Sequence, residues 1–188
     1  PGLPRWIKWL NWAFPLFASP TPAFFFMMVL CGEEPIDHMQ KSILREGSSI
    51  HPIMERVMAI HVAEEARHIS FAHEFLRRRV PEMRPFNRFV LSLFYPLGFR
   101  VAASLIAKPP RIFWRQFGIP KSVKNEIFWR SPESRTMLRE FYGDVRMLAE
   151  DTGLMNPVAK VLWRIFRIDG PASRYRSEPA RQAVVPVA

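Results

Sequence analysis

Apolar residues recur at helical spacing along most of the chain, and the alternating patterns typical of strands are almost absent. The first predicted helix begins after Pro22 and runs to about Leu44, with Pro35 inside it as a bend. A second predicted helix starts at Pro52, a residue suited to a first helical turn, and continues without interruption to Pro81. The pattern therefore predicts an all-α helical bundle.

The C-terminal half of the chain also favours helices. The apolar segment from Pro85 to Ala107 contains Pro-Leu-Gly at 96–98, which predicts a kinked hairpin. Ser131, followed by a proline and an acid, predicts an N-cap and a helix that runs to about Ala149. A short amphipathic helix is expected from Pro157 to Ile168. The resulting division is a Pro- and aromatic-rich lead-in over 1–23, a helical portion over 24–168 and a poorly ordered tail over 169–188.

Ionisable residues interrupt one apolar face of the second predicted helix. Steps of four and three residues place on that face Met54, Met58, His61, Glu65, His68, Ala72 and Phe75. An unpaired charge in an apolar seam is costly, so Glu65 must be neutralised by a proton, a cation or a metal. A Glu and a His at i and i+3 hold di-iron or di-manganese centres in helical bundles. His61, Glu65 and His68 therefore form a candidate metal site.

Two alternatives to this site follow from the same residues. A single histidine in a core is usually a hydrogen-bonded structural residue, but here two histidines flank one carboxylate in register. A zinc-protease motif is excluded because H-E-x-x-H places its histidines four residues apart, whereas His61 and His68 are seven apart.

The preceding helix supplies further ionisable side chains, namely Glu33, Glu34, Asp37 and His38. Glu34 or Glu33 is expected to face Glu65 as an additional ligand, and most of this cluster is expected to be solvated. Glu64 and Arg67 lie off the apolar face and are expected to make ion pairs. The side chains expected around the ligands are thus Glu33, Asp37, His38, Glu64 and Arg67.

Three stretches, GEEPIDHMQ, IHP and HVAEEARHISFA, resemble the AurF-type di-iron oxygenases, the family of p-aminobenzoate N-oxygenase. The resemblance implies a ferritin-like bundle in which Glu34, His61, Glu65 and His68 are iron ligands. It implies two iron ions, with manganese as an alternative, and O2 as co-substrate. The implied reaction is N-oxygenation or hydroxylation of a small organic substrate, with no catalytic residue outside the ligands and with electrons from a ferredoxin or reductase.

Half of the family's ligand set has no counterpart in this chain. The family's remaining ligands, a glutamate and a second E-x-x-H, belong N-terminal to the matching stretch, yet residues 1–23 contain no Glu, Asp or His. The expectations are a C-terminal fragment, a second chain that completes the site as a homodimer, or a degenerate, non-catalytic relative. Because the chain begins at Pro1, the fragment is the favoured expectation.

Charge and cysteine content restrict the remaining function classes. There are 27 Lys+Arg against 17 Asp+Glu, a net charge of +10, which favours an acidic partner surface. Nucleic-acid binding is not expected, because the bases are dispersed and no recognised module is present. The single cysteine, Cys31, excludes an intramolecular disulfide and favours a cytoplasmic location.

Two surfaces could meet an acidic partner. The arginines at 77–79 and Arg84 form a basic run that could dock a ferredoxin, although such a run is often a solvated helix end. The aromatic and arginine-rich segments over 3–26 and 86–113 make membrane association the alternative to a purely soluble bundle.

Overall fold

The computed structural model describes residues 20–46 and 50–170 of the chain. Three long helices come first: α1 (Pro22–Glu46), α2 (Pro52–Arg79) and α3 (Pro85–Ala107). Shorter helices follow: α4 (Arg111–Gln116), α5 (Lys121–Asn125), a π-helical turn (Glu126–Arg130), α6 (Pro132–Glu140), α7 (Gly143–Asp151) and α8 (Pro157–Ile165). No strand occurs in the two described ranges, and the prediction of an all-α bundle is confirmed.

Proline and local capping fix where the long helix α2 begins. Pro52 occupies the first turn, where its missing N–H costs nothing, and Nδ1 of His51 accepts from the backbone N–H of Ile53 at 3.3 Å. The helix ends with the N–H of Val80 bonded to the carbonyl of Leu76. The predicted bounds of α1 and α2 are therefore confirmed, including Pro35 inside α1.

Helix α3 runs through Pro96 without a break, so the kinked hairpin predicted at 96–98 is wrong. Pro96 removes the N–H that would reach the carbonyl of Ser92, but the residue is buried in well-packed surroundings. The Ser92 hydroxyl donates to the carbonyl of Phe89 at 2.6 Å and accepts from the side-chain amide of Asn156 at 2.6 Å. These contacts tie the affected turn to the start of α8 and keep the helix continuous.

The single helix predicted from Ser131 to about Ala149 is also wrong, because α6 and α7 are separate. The capping prediction at Ser131 is confirmed, since its hydroxyl accepts from the N–H of Ser134 at 3.1 Å. The chain turns at Tyr142, with φ −118° and ψ 21°. This turn lets the Tyr142 hydroxyl donate to the carbonyl of Phe99 at 2.7 Å inside the core.

The last described helix, α8, matches its prediction at the start and ends earlier. The side chain of Asn156 caps it by accepting from the N–H of Ala159 at 3.0 Å. The helix ends at Ile165, and Arg167 follows in the left-handed region at φ 59°. The tail predicted over 169–188 and the lead-in over 1–23 lie almost wholly outside the described residues, so that division stays a prediction.

Helix α1 is central, because it packs against both α2 and α3, while α7 contacts α2 and α8 contacts α3. Aromatic rings fill the space around α3: Phe99 lies 4.7 Å from Tyr95, 4.8 Å from Tyr142 and 6.2 Å from Trp163 between ring centroids. The core therefore lies on the side of α1 that faces α3, α7 and α8. Among the described residues, nothing packs on the other side of the α1–α2 pair.

Candidate metal-binding site

The three ionisable residues of α2 lie together at the edge of its contact with α1. The Glu65 carboxylate is 3.0 Å from Nδ1 of His68 and 3.6 Å from Nε2 of His61. Glu65 is the shielded member, with 14 % of its side chain exposed, against 41 % for His61 and 67 % for His68. One carboxylate thus lies between two imidazoles on successive turns, as the sequence pattern predicts.

Helix α1 adds a second carboxylate to this cluster. Glu33 lies close enough to Glu65 for the two carboxyl groups to interact. Burial raises the pKa of Glu33, and the neighbouring Glu65 raises it further. A cation bound between the two carboxyl groups would relieve their mutual repulsion. We call Glu33, His61, Glu65 and His68 the open group.

Gln40, which the sequence pattern did not indicate, orients one imidazole of the open group. The side-chain oxygen of Gln40 accepts a hydrogen bond from Nδ1 of His61 at 2.9 Å. A proton on Nδ1 leaves Nε2, the nitrogen that faces Glu65, with its lone pair available. Histidines that ligate metals commonly donate their other ring N–H to an oxygen in this way. The available signal was that Gln40 lies seven residues after Glu33, on the same face of α1.

Glu34, the α1 ligand implied by the family resemblance, lies elsewhere in this structure. Its Oε1 and Nε2 of His73 share a hydrogen bond of 2.5 Å, and both side chains are almost fully buried. Burial raises the pKa of Glu34, and the contact with His73 opposes that rise. We call Glu34 and His73 the interior pair. His73 was missed because it is five residues past His68 and falls off the predicted face.

The other side chains expected around the ligands are not gathered at the open group. Asp37 is buried and forms a salt bridge with Lys41 at 2.6 Å. The His38 ring is half-buried and lies 5.6 Å from the ring of Phe141. Glu64 and Arg67 are exposed, and no salt bridge joins them in the described part of the chain.

Exposed apolar side chains occur on the same helix as His61, Glu65 and His68. The exposed large residues on this part of α2, which we call the open face, are Ile53, Met54, Val57, Ile60 and Phe71. An exposed apolar surface of this kind commonly marks an interface. Across residues 20–46 and 50–170, no three His, Cys, Asp or Glu side chains are arranged so that they could hold a metal ion. The open group is therefore a set of donors bonded to one another beside an uncovered apolar surface.

The chemistry of these donors fits iron or manganese. Carboxylate and imidazole ligands suit both metals. The open group supplies two carboxylates and two imidazoles, and these four donors do not form a closed coordination shell.

An all-α bundle that presents carboxylates and an E-x-x-H pair between adjacent helices defines the class of ferritin-like di-iron proteins. A family model described as P-aminobenzoate N-oxygenase AurF matches residues 1–153. The chain belongs to the AurF family, and the resemblance inferred from three short stretches is confirmed over most of the chain.

Mycobacterial relatives share most of the sequence. The uncharacterized protein Rv0885 of Mycobacterium tuberculosis is 59 % identical over 182 residues, which cover 97 % of this chain and 54 % of that protein. The uncharacterized protein Mb0909 of Mycobacterium bovis gives the same values. This chain thus spans about half the length of the curated relatives it matches. No solved structure matches it significantly.

Proposed function

We propose that the protein is a non-heme di-iron monooxygenase that N-oxygenates or hydroxylates a small organic substrate. Membership of the AurF family supports the oxygenase class. The observation that carries the proposal is the contact of Glu65 with His68, His61 and Glu33 on adjacent helices. When bound, two iron ions would supply the O2 chemistry, with manganese as the alternative metal.

The proposed ligands are His61, Glu65 and His68 from α2 and one carboxylate from α1. Glu33 is favoured by its contact with Glu65, and Glu34 is favoured by the family resemblance. Gln40 holds His61 in the tautomer that keeps Nε2 available. The shielded position of Glu65 keeps its carboxylate away from bulk water.

The open face is the surface on which helices that carry the remaining metal ligands would pack. We propose that helices carrying a further glutamate and a second E-x-x-H cover it and complete the dinuclear centre. They would come from the remainder of a longer chain, since the relatives are about twice as long, or from a second copy. The apolar side chains of the open face would then become core and exclude water from the reaction.

The reaction also requires an electron donor. One oxygen atom enters the substrate and the other leaves as water, which consumes a pair of electrons and a pair of protons. We propose an external ferredoxin or reductase and a cytoplasmic setting. The basic run expected to dock this donor is largely engaged within the chain. Its salt bridges are Arg77–Asp151 at 3.5 Å, Arg78–Glu74 at 2.7 Å and Arg79–Glu82 at 3.1 Å.

Anaerobic reconstitution with iron(II) tests the proposal. Metal content per chain and the mass in solution are measured, followed by the change in absorption on admitting O2. Bound iron with an O2-dependent absorption change supports the oxygenase. Glu65→Ala is expected to lose the metal, whereas Glu64→Ala, a matched change at the exposed neighbouring residue, is expected to retain it.

A chain that binds no iron as a monomer or a dimer would favour the alternative, a non-catalytic fragment or degenerate relative. Equal iron content in Glu65→Ala and the unaltered chain would refute the proposed ligands. Iron bound only by a dimer would indicate that a second copy covers the open face.

A further inference from the structure

Within residues 20–46 and 50–170, helix α3 presents an apolar surface that the other helices leave exposed. Its exposed members recur at helical spacing, and we call them the outer stripe: Phe86, Phe94, Leu97, Val101 and Leu105. The two ends are the most exposed, with Phe86 at 74 % and Leu105 at 76 %. At 1.5 Å per residue the stripe is about 28 Å long. Ile112 and Phe117 of α4 extend the exposed apolar surface beyond it.

The segment that carries this surface is basic. Between Met83 and Asn125 the chain has no Asp or Glu, and its eight bases are Arg84, Arg88, Arg100, Lys108, Arg111, Arg115, Lys121 and Lys124. Arg84 precedes the outer stripe, and Arg111 and Arg115 follow it, all three exposed. This one segment carries most of the excess positive charge of the chain.

The positive charge indicates which partner fits. A second copy docked through the same stripe would bring two sets of bases together without any acid from this segment. An anionic lipid surface matches both features, because it accepts apolar side chains between its headgroups and attracts Lys and Arg.

The helix is positioned to lie on a membrane and not to cross it. The stretch Pro85–Gln116 is long and apolar enough for a span by length and composition alone. However, the opposite side of α3 packs against α1 and α8, where Tyr95 and Phe99 are fully buried. Arg100 also lies within the stretch, hydrogen-bonded to Ser104 at 2.5 Å. The side of α3 that carries the outer stripe is exposed in the described part of the chain.

We propose that the outer stripe and its flanking arginines form a docking surface for an anionic membrane. The helix would rest in the plane of the interface, with the stripe among the lipid headgroups and upper acyl chains. The surface uses none of the residues of the open group, so it stands or fails independently of the oxygenase.

Vesicle co-sedimentation of the full chain tests this surface. One set of vesicles is phosphatidylcholine alone, and the other contains about one-third phosphatidylglycerol. We expect binding to the anionic vesicles that weakens as salt is raised. Arg111→Glu with Arg115→Glu should lower that partition by more than about tenfold. Phe86→Gln with Leu105→Gln should lower it by about tenfold or more.

The control pair is Val161→Gln with Ile165→Gln, which alters similarly exposed apolar residues on α8 and should leave the partition unchanged. Circular dichroism melting curves establish that each variant is folded. Equal binding to neutral vesicles, or equal loss in the control pair, would overturn the proposal. So would absence of vesicle binding together with a dimer that the Phe86 and Leu105 changes dissociate, since the stripe would then join two copies.

Discussion

Helices α1 and α2 make two carboxylate–imidazole contacts that differ in their surroundings. In the interior pair, Glu34 and His73 are hydrogen-bonded to each other, with 6 % and 2 % of their side chains exposed. In the open group, Glu65 is shared among His61, His68 and Glu33 beside exposed apolar residues. Glutamate and histidine side chains are therefore in contact in two different environments of one helix pair, one buried and one exposed.

Burial determines what each contact can do. A buried carboxylate cannot remain charged without a partner, so the interior pair is committed to its own hydrogen bond. The open group is accessible and contains two neighbouring carboxyl groups, whose mutual repulsion a bound cation would relieve. The comparison indicates that the interior pair fixes the register of α1 on α2, and that the open group is available for ligands.

The largest effect is expected from breaking the interior pair. His73→Ala leaves Glu34 buried without its imidazole, and this should lower the free energy of unfolding by about 3–5 kcal/mol. His68→Ala removes an exposed imidazole and should change that energy by less than about 0.5 kcal/mol. Urea denaturation of both variants, followed by circular dichroism, measures the difference.

A double variant separates the lost partner from lost packing. Glu34→Leu with His73→Leu removes both polar groups and should recover much of the stability lost in His73→Ala. If His73→Ala is no less stable than His68→Ala, the pair does not hold the two helices in register.

The second prediction distinguishes the two glutamates of α1. Glu33→Gln should lower iron(II) affinity by about 10- to 100-fold, since it replaces the carboxylate beside Glu65 with a neutral amide. Its free energy of unfolding should change little. Glu34→Gln should lower stability and leave affinity nearly unchanged, because its side chain is bonded to His73.

Competitive titration against a metal indicator gives the affinities, and urea denaturation gives the stabilities. The reverse result, with affinity lost only in Glu34→Gln, would show that the metal-bound protein uses the glutamate implied by the family resemblance. Helix α1 would then have to rotate about its axis relative to this structure.

Local signals predicted the helices well, because they act over a few residues. Pro22, Pro52, Ser131 and Pro157 each mark the start of a helix in the sequence and in the structure. The two errors have tertiary causes. Buried packing keeps α3 continuous at Pro96, and insertion of Tyr142 into the core separates α6 from α7.

The site was predicted in part for the same reason. His61, Glu65 and His68 belong to one helix, so their spacing alone brings them together. Which glutamate of α1 meets them depends on the rotation of α1 against α2, and neighbouring positions differ by about 100°. The sequence alone could not predict three contacts between α1 and α2, because they depend on how the two helices pack. These contacts are Glu33–Glu65, Gln40–His61 and Glu34–His73.

A third, smaller effect is expected from Gln40, which acts on the metal through His61. Gln40→Leu removes the oxygen that accepts from Nδ1 and should lower iron(II) affinity by about tenfold. Gln40→Glu keeps an acceptor at that place and should restore most of the affinity. If both variants lose affinity equally, or neither does, Gln40 does not set the His61 tautomer.

The smallest changes in stability are expected from alanine substitutions at two glycines. One glycine lies on the open side of α1 and the other on the packed side of α3. Gly32 lies in α1, and a Cβ added there meets nothing within 4 Å. Gly98 lies in α3, and a Cβ added there comes 3.2 Å from Sγ of Cys31, a buried residue of α1. Replacement of a helical glycine by alanine stabilises a helix by about 0.5–1 kcal/mol where space allows.

Gly32→Ala should therefore raise the free energy of unfolding by that amount. Gly98→Ala should gain nothing or lose about 1 kcal/mol, because α3 and α1 must separate slightly to admit the methyl group. Burial raises the pKa of the Cys31 thiol, so reaction with a thiol reagent is slow in the folded chain and reports any loosening of this contact. A Gly98→Ala variant as stable as Gly32→Ala, with Cys31 still unreactive, would mean that the α1–α3 contact can yield without cost. Instability of Gly32→Ala alone would mean that the side of α1 that is open here is covered in solution.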